Sequence, residues 1–132
     1  MKDRKRCLTG VWHGLYSYER FRQPVYFVAT LIDGTSFVTG TTHESEVGER
    51  GAPLTLFAAI DGAAGDGEVT FTKTYDGSGG WEHSVAYDGR LSADGCEIEG
   101  TWRIGRTAAG RFLMIRDAGV SESVVRRAFE KA

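Results

Sequence analysis

Thr9-Gly10-Val11-Trp12-His13-Gly14-Leu15-Tyr16-Ser17-Tyr18 opens the patterned part of a 132-residue chain and decides how the rest is read. Neighbouring side chains of an extended strand point to opposite faces. Trp12, Gly14, Tyr16 and Tyr18 therefore share one side, and Val11, His13, Leu15 and Ser17 the other. Seven more short runs follow at even spacing, near 25–32, 36–43, 54–60, 69–75, 81–91, 96–104 and 111–116. The clearest sets Ile98, Gly100, Trp102 and Ile104 against Glu97, Glu99, Thr101 and Arg103, the pattern of a strand with one face in water. Turn signals separate the runs: Asp33-Gly34, the polar stretch from Glu44 to Pro53, a loop by composition over Asp61 to Gly67, and Asp76-Gly77-Ser78-Gly79-Gly80.

Eight antiparallel strands laid flat would expose two edges, and pairing the first with the last removes both. The reading is an all-β chain forming an eight-stranded antiparallel up-and-down barrel. A two-sheet sandwich competes, but it needs crossing connections, and only 44–53 is long enough to make one. Residues 1–8 read as a basic flexible tail, 9–118 as the barrel, and 119–132 as a short C-terminal helix of the same domain. Val124, Val125, Ala128 and Phe129 recur there at helical spacing after Ser121, a capping residue.

Composition narrows the partners. The tail carries four cations and one anion, so the remaining residues carry −5 towards a total of −2. A barrel gripping phosphate backbones would need clustered cations, and nucleic-acid binding is disfavoured. No run approaches the roughly 18 apolar residues of a membrane-spanning helix, and the first residues lack the apolar stretch of a secretory leader. A cytoplasmic location is expected. Cys7 and Cys96 have no metal-type or redox-type spacing.

Gly10-Val11-Trp12 on the first strand, with Arg116 ending the last, resembles the calycin signature shared by lipocalins, fatty-acid-binding proteins and avidins. There a Trp closes one end of the barrel under a basic side chain. The resemblance implies that Trp12 and Arg116 close this barrel, and a guanidinium on an indole face gains about 0.5–2 kcal/mol. Thr9-Gly10-Val11-Trp12 and Thr39-Gly40-Thr41-Thr42-His43-Glu44-Ser45 are similar to the openings of avidin strands one and three. Where avidins place a biotin-binding Asn two residues after the first Trp, this chain has Gly14, so the likeness carries a calycin-like outline and no particular ligand.

With Trp12 inward, the interior also receives Tyr16, Tyr18, Phe71, Lys73, Tyr75, His83, Tyr87, Trp102 and Arg116. Lys73 is the odd member, because a buried ammonium needs an anion, a ligand head group or an escape to solvent. Tyr16, Tyr18, Lys73, Tyr75, His83, Tyr87, Trp102 and Arg116 are the candidate ligand-binding residues, with Lys73, His83 and Arg116 as an anchor for an anionic head group. His13 lies on the opposite face from Trp12, so the three histidines do not form a metal triad, and no metal site is expected. No nucleophile elbow or phosphate-binding loop occurs, no catalytic residue is assigned, and no cofactor is required.

Three functions stay open: binding of a small apolar or amphipathic ligand inside the barrel, a filled barrel acting as an interaction or self-association module, and a small acid–base enzyme. Strand two, apolar on both faces, motivates the second, including a homodimer, unless the C-terminal helix covers Tyr26, Val28 and Ile32.

Overall fold

The computed structural model describes residues 6–18, 23–47 and 51–116. Eight strands follow one another: β1 (Gly10–Tyr18), β2 (Val25–Asp33), β3 (Phe37–Val47), β4 (Pro53–Gly65), β5 (Glu68–Tyr75), β6 (Ser84–Leu91), β7 (Glu97–Ile104) and β8 (Ala108–Ile115). Each is antiparallel to the next, and β1 also pairs with β8, from His13 opposite Ile115 to Tyr18 opposite Gly110. The ladder closes on itself, which excludes the sandwich. The helix expected over 119–132 lies outside the described residues.

Three boundaries differ from the sequence reading. β3 continues to Val47 instead of ending at 43, which places Glu44 on a strand with its side chain buried. β4 runs through Gly65, so the stretch taken for a loop is paired on both sides, Asp61 with Thr39 and with Thr72. Its small residues serve close approach: a Cβ on Gly62 would lie 2.1 Å from the Thr70 carbonyl oxygen. The turn itself is only Asp66-Gly67, both at positive φ, as a two-residue hairpin connection requires. Finally, β6 begins at Ser84 instead of Trp81, after a short 3₁₀ turn over Ser78–Gly80, leaving Trp81 and His83 on the connection.

Alternate residues of every strand meet inside. Towards one end, Trp12, Leu31, Val38, Val69, Ile98 and Met114 are each no more than 1% exposed. Leu8, expected in the basic tail, is buried beneath them, its backbone N–H donating to Asp33 Oδ2 at 2.8 Å and its carbonyl accepting from Trp12 Nε1 at 2.9 Å. Arg116 lays its guanidinium 4.6 Å from the Trp12 ring centroid and donates from Nε to the Gly95 carbonyl at 3.0 Å. This end is closed by Leu8 below and by Arg116 on the indole face. On the outer wall of β2, Tyr26 and Ile32 are more than half exposed.

Candidate functional site

Register brings a charged cluster into the middle of the barrel. Inward positions of β1, β3 and β5 hold Tyr16, Glu44, Lys73 and Tyr75. Lys73 Nζ donates to Glu44 Oε1 at 2.7 Å, Tyr75 donates to the same oxygen at 2.8 Å, and Tyr16 donates to Oε2 at 2.6 Å. Glu44 thus accepts three charge-assisted bonds, and both partners of the ion pair are fully buried.

The ammonium is boxed by rings. Nζ lies 4.6 Å from the Phe27 centroid, 5.0 Å from those of Tyr16 and Tyr75, and 5.8 Å from that of Tyr87. Phe27 reaches this position across β1, where a Cβ on Gly14 would lie 2.1 Å from its ring. Gly14 therefore makes room for a ring next to Lys73. Burial pushes the Lys73 ammonium below the usual lysine range, and the Glu44 carboxylate opposes that shift. Burial, and after it the charge of Glu44, pushes the Tyr16 and Tyr75 phenols far above their ordinary value, so both remain donors. In the same inward file, Thr42 Oγ1 is buried with no hydrogen-bond partner among the described residues.

Beyond this cluster the barrel ends in an aromatic mouth. Tyr18 and Trp102 meet edge to face at 4.9 Å, Tyr75 and Trp81 at 5.1 Å, and Tyr75 and His83 lie 4.9 Å apart. Trp102 is held by its indole N–H, which donates to the Ser17 carbonyl at 3.0 Å. Tyr16, Tyr18, Tyr75, Trp81, His83, Val85, Tyr87, Trp102 and Ile104 enclose a cavity of about 10 Å³, room for about one water. A larger hollow of about 430 Å³ is an open furrow on the outer wall, among exposed Thr70, Thr72, Asp88, Thr101 and Arg103. Its lining also includes Phe71, Tyr87 and Trp102 but none of Tyr16, Glu44, Lys73 and Tyr75, and the mouth is the candidate site.

Six of the eight candidate ligand residues, Tyr16, Tyr18, Tyr75, His83, Tyr87 and Trp102, line this one cavity. Lys73 does not line it, and its Nζ lies 5.0 Å from the ring centroids of Tyr16 and Tyr75, which do. Arg116 belongs to the opposite end, against Trp12. The anchor of Lys73, His83 and Arg116 is therefore not assembled: the anion for Lys73 is internal, and His83 is exposed at the rim because β6 begins one residue after it. Neither Glu44 nor Trp81 is among the candidate ligand residues read from the sequence. The signal for Glu44 was the need of Lys73 for an anion, combined with the inward parity of Thr42 and Glu44 once β3 is extended.

Among the described residues no three His, Cys, Asp or Glu side chains gather where they could hold a metal ion, and no helix is long and apolar enough to cross a membrane. Fold and site together define a closed eight-stranded antiparallel barrel with one plugged end, one aromatic end and a charged cluster between them. Comparison with solved structures agrees on the fold: a de novo designed fluorescence-activating beta barrel superposes with a TM-score of 0.58 at 11% identity, covering 89% of this chain and 100% of that one. No family model matches the chain, and no curated protein matches it either.

Proposed function

We propose that the open end of the barrel binds a small apolar or amphipathic molecule, its apolar part against Tyr18, Trp81 and Trp102 and its polar end towards the hydroxyls of Tyr16 and Tyr75. The observation that carries this reading is the convergence of aromatic side chains from four strands and one connection on a single cavity above a buried polar cluster. Ligand sites combine such an apolar wall with a few fixed polar groups. The designed barrel of similar fold is described as fluorescence-activating.

A cavity of about 10 Å³ is too small for any such ligand as it stands. Trp81 is the side chain placed to move, since it is half-buried and sits on the β5–β6 connection instead of a strand. Because Lys73 is neutralised by Glu44, the ligand needs no anionic group. Native mass spectrometry of freshly purified protein, followed by a thermal-shift panel of fatty acids, haem, flavins, retinoids and biotin, tests the proposal. One compound raises Tm and quenches Trp fluorescence, and Trp102→Ala weakens both effects. No response at about 100 μM of every compound would end it.

The small cavity favours a second reading, a filled barrel working through its outer wall, where Val11, Tyr26, Ile32, Phe37 and Phe57 are about half exposed. The same native spectra separate the two. A dimer without a bound small molecule supports the second, and a monomer carrying one supports the first.

A further inference from the structure

We infer that Lys73 is a covalent capture site for a small aromatic or conjugated aldehyde, which it condenses with to form a protonated imine held against Glu44. The inference rests on the open end admitting a small molecule. It starts from position: Tyr16 and Tyr75 line the mouth cavity, and Nζ of Lys73 lies 5.0 Å from each of their ring centroids. A carbonyl carbon that parts these two rings meets the amine directly.

The groups around Nζ are those the condensation requires. Glu44 Oε1, 2.7 Å away, accepts a proton from the ammonium and frees the lone pair. That pair adds to the carbonyl carbon while the C=O π pair moves to oxygen, which takes up a proton lost by the nitrogen. Glu44 then returns its proton to the resulting hydroxyl, which leaves as water as the C=N bond forms. One ammonium and one aldehyde give one protonated imine and one water. Tyr75 and Tyr16, bonded to the two oxygens of Glu44, hold the carboxylate in place through both transfers.

Two physical features favour the product. The cation that leaves and the cation that forms carry the same charge, so the buried pair with Glu44 is kept and no new charge is desolvated. The walls of Phe27, Tyr16, Tyr75 and Tyr87 keep bulk water from the C=N bond. Burial also holds the Lys73 amine below the ordinary lysine value, which raises the share of free amine at neutral pH over that of a solvated lysine.

The chain has only four lysines, Lys2, Lys5, Lys73 and Lys131, so the adduct is easily mapped. The full chain is incubated at neutral pH with 2-naphthaldehyde and cyanoborohydride, which delivers hydride to an imine and fixes it as a secondary amine. Peptide mapping is expected to find the added mass chiefly on Lys73, and Lys73→Arg, which keeps the charge but forms no imine, is expected to lose it. Adducts confined to Lys2, Lys5, Lys131 and the α-amino group overturn the inference on the unaltered protein, whatever the variant does. Fluorescence quenching by 2-naphthylmethanol, the same ring system without the carbonyl, is read in parallel. Quenching without a Lys73 adduct overturns capture and leaves the binding mouth standing, and failure of both overturns capture while the binding mouth is decided by the compound panel.

Discussion

At the closed end Trp12 has no exposed surface, its N–H is committed to the Leu8 carbonyl, and its face is covered by Arg116. At the open end Trp81 is half-buried, stands on a connection, and meets the rings of Tyr75 and His83. Both ends use indole rings against a β-wall, yet one ring is fixed by a backbone carbonyl and a cation while the other packs against neighbouring rings. Where an aromatic group has its polar edge and both faces occupied it acts as structure. Where it keeps a free side, it is available to a ligand.

Between the ends lies the cluster that should dominate stability. Glu44→Ala leaves Lys73 charged and unpaired in the core and is expected to cost about 3–5 kcal/mol in urea unfolding. Replacing both partners with apolar groups, Glu44→Leu with Lys73→Met, is expected to recover part of that loss, the Tyr16 and Tyr75 hydroxyls still lacking their acceptor. If the double variant is no better than the single, the cost does not come from an orphaned charge. Trp12→Ala is expected to cost about 3–5 kcal/mol as well, a cavity at the closed end that the surrounding strands cannot fill.

Alkaline pH is the next largest lever. Tyr16, Tyr75 and Tyr87 have phenols raised by burial, so above about pH 10 the unfolded chain releases protons that the folded barrel keeps. Stability is therefore full below that pH and falls as pH rises through it. Lys73, lowered on folding, acts in the opposite direction, but its effect is complete near the ordinary lysine value of about 10.4. Tyrosinate absorbance followed with circular dichroism should show these phenols titrating only together with unfolding. If they titrate in a folded barrel, the cluster is open to solvent.

Smaller effects sharpen the contrast between ends. Arg116→Ala is expected to cost about 0.5–2 kcal/mol through the lost stacking on Trp12, without altering small-molecule binding at the mouth. Trp81→Ala is expected to cost about 0.5–1.5 kcal/mol, the worth of its ring contacts, while changing the affinity for a bound compound. A Trp81 variant as destabilised as the Trp12 variant would show that the mouth is built as tightly as the floor.

The alternation of β5 and β7 gave the barrel away, because every other residue of those strands, Lys73 excepted, is apolar or aromatic and its neighbours are Thr, Glu or Arg. β4 hid its last third. Gly62, Ala63, Ala64 and Gly65 carry little bulk to alternate, and what Gly62 does, allowing β5 to come close, is visible only once the neighbour is in place. Glu44 was hidden for a related reason. A carboxylate at the end of a polar run reads as solvated until its partner, 29 positions on, is brought beside it. Trp81 apart, the aromatic residues of the mouth were legible as an inward set, but which end each one served was not, because parity reports the side of a strand and not the height along it.

The seam between β1 and β8 has a consequence for how the chain is made. Its pairs, such as His13 with Ile115, join residues from the two extremes of the ladder, so during synthesis seven strands emerge before the eighth can lock them. Until then the nascent sheet offers two unpaired rims with a half-wrapped aromatic interior, a state prone to clump with its neighbours. Folding should accordingly be slow for a domain of this size, and the yield of native protein should depend on chaperone supply more than the stability of the finished barrel would indicate.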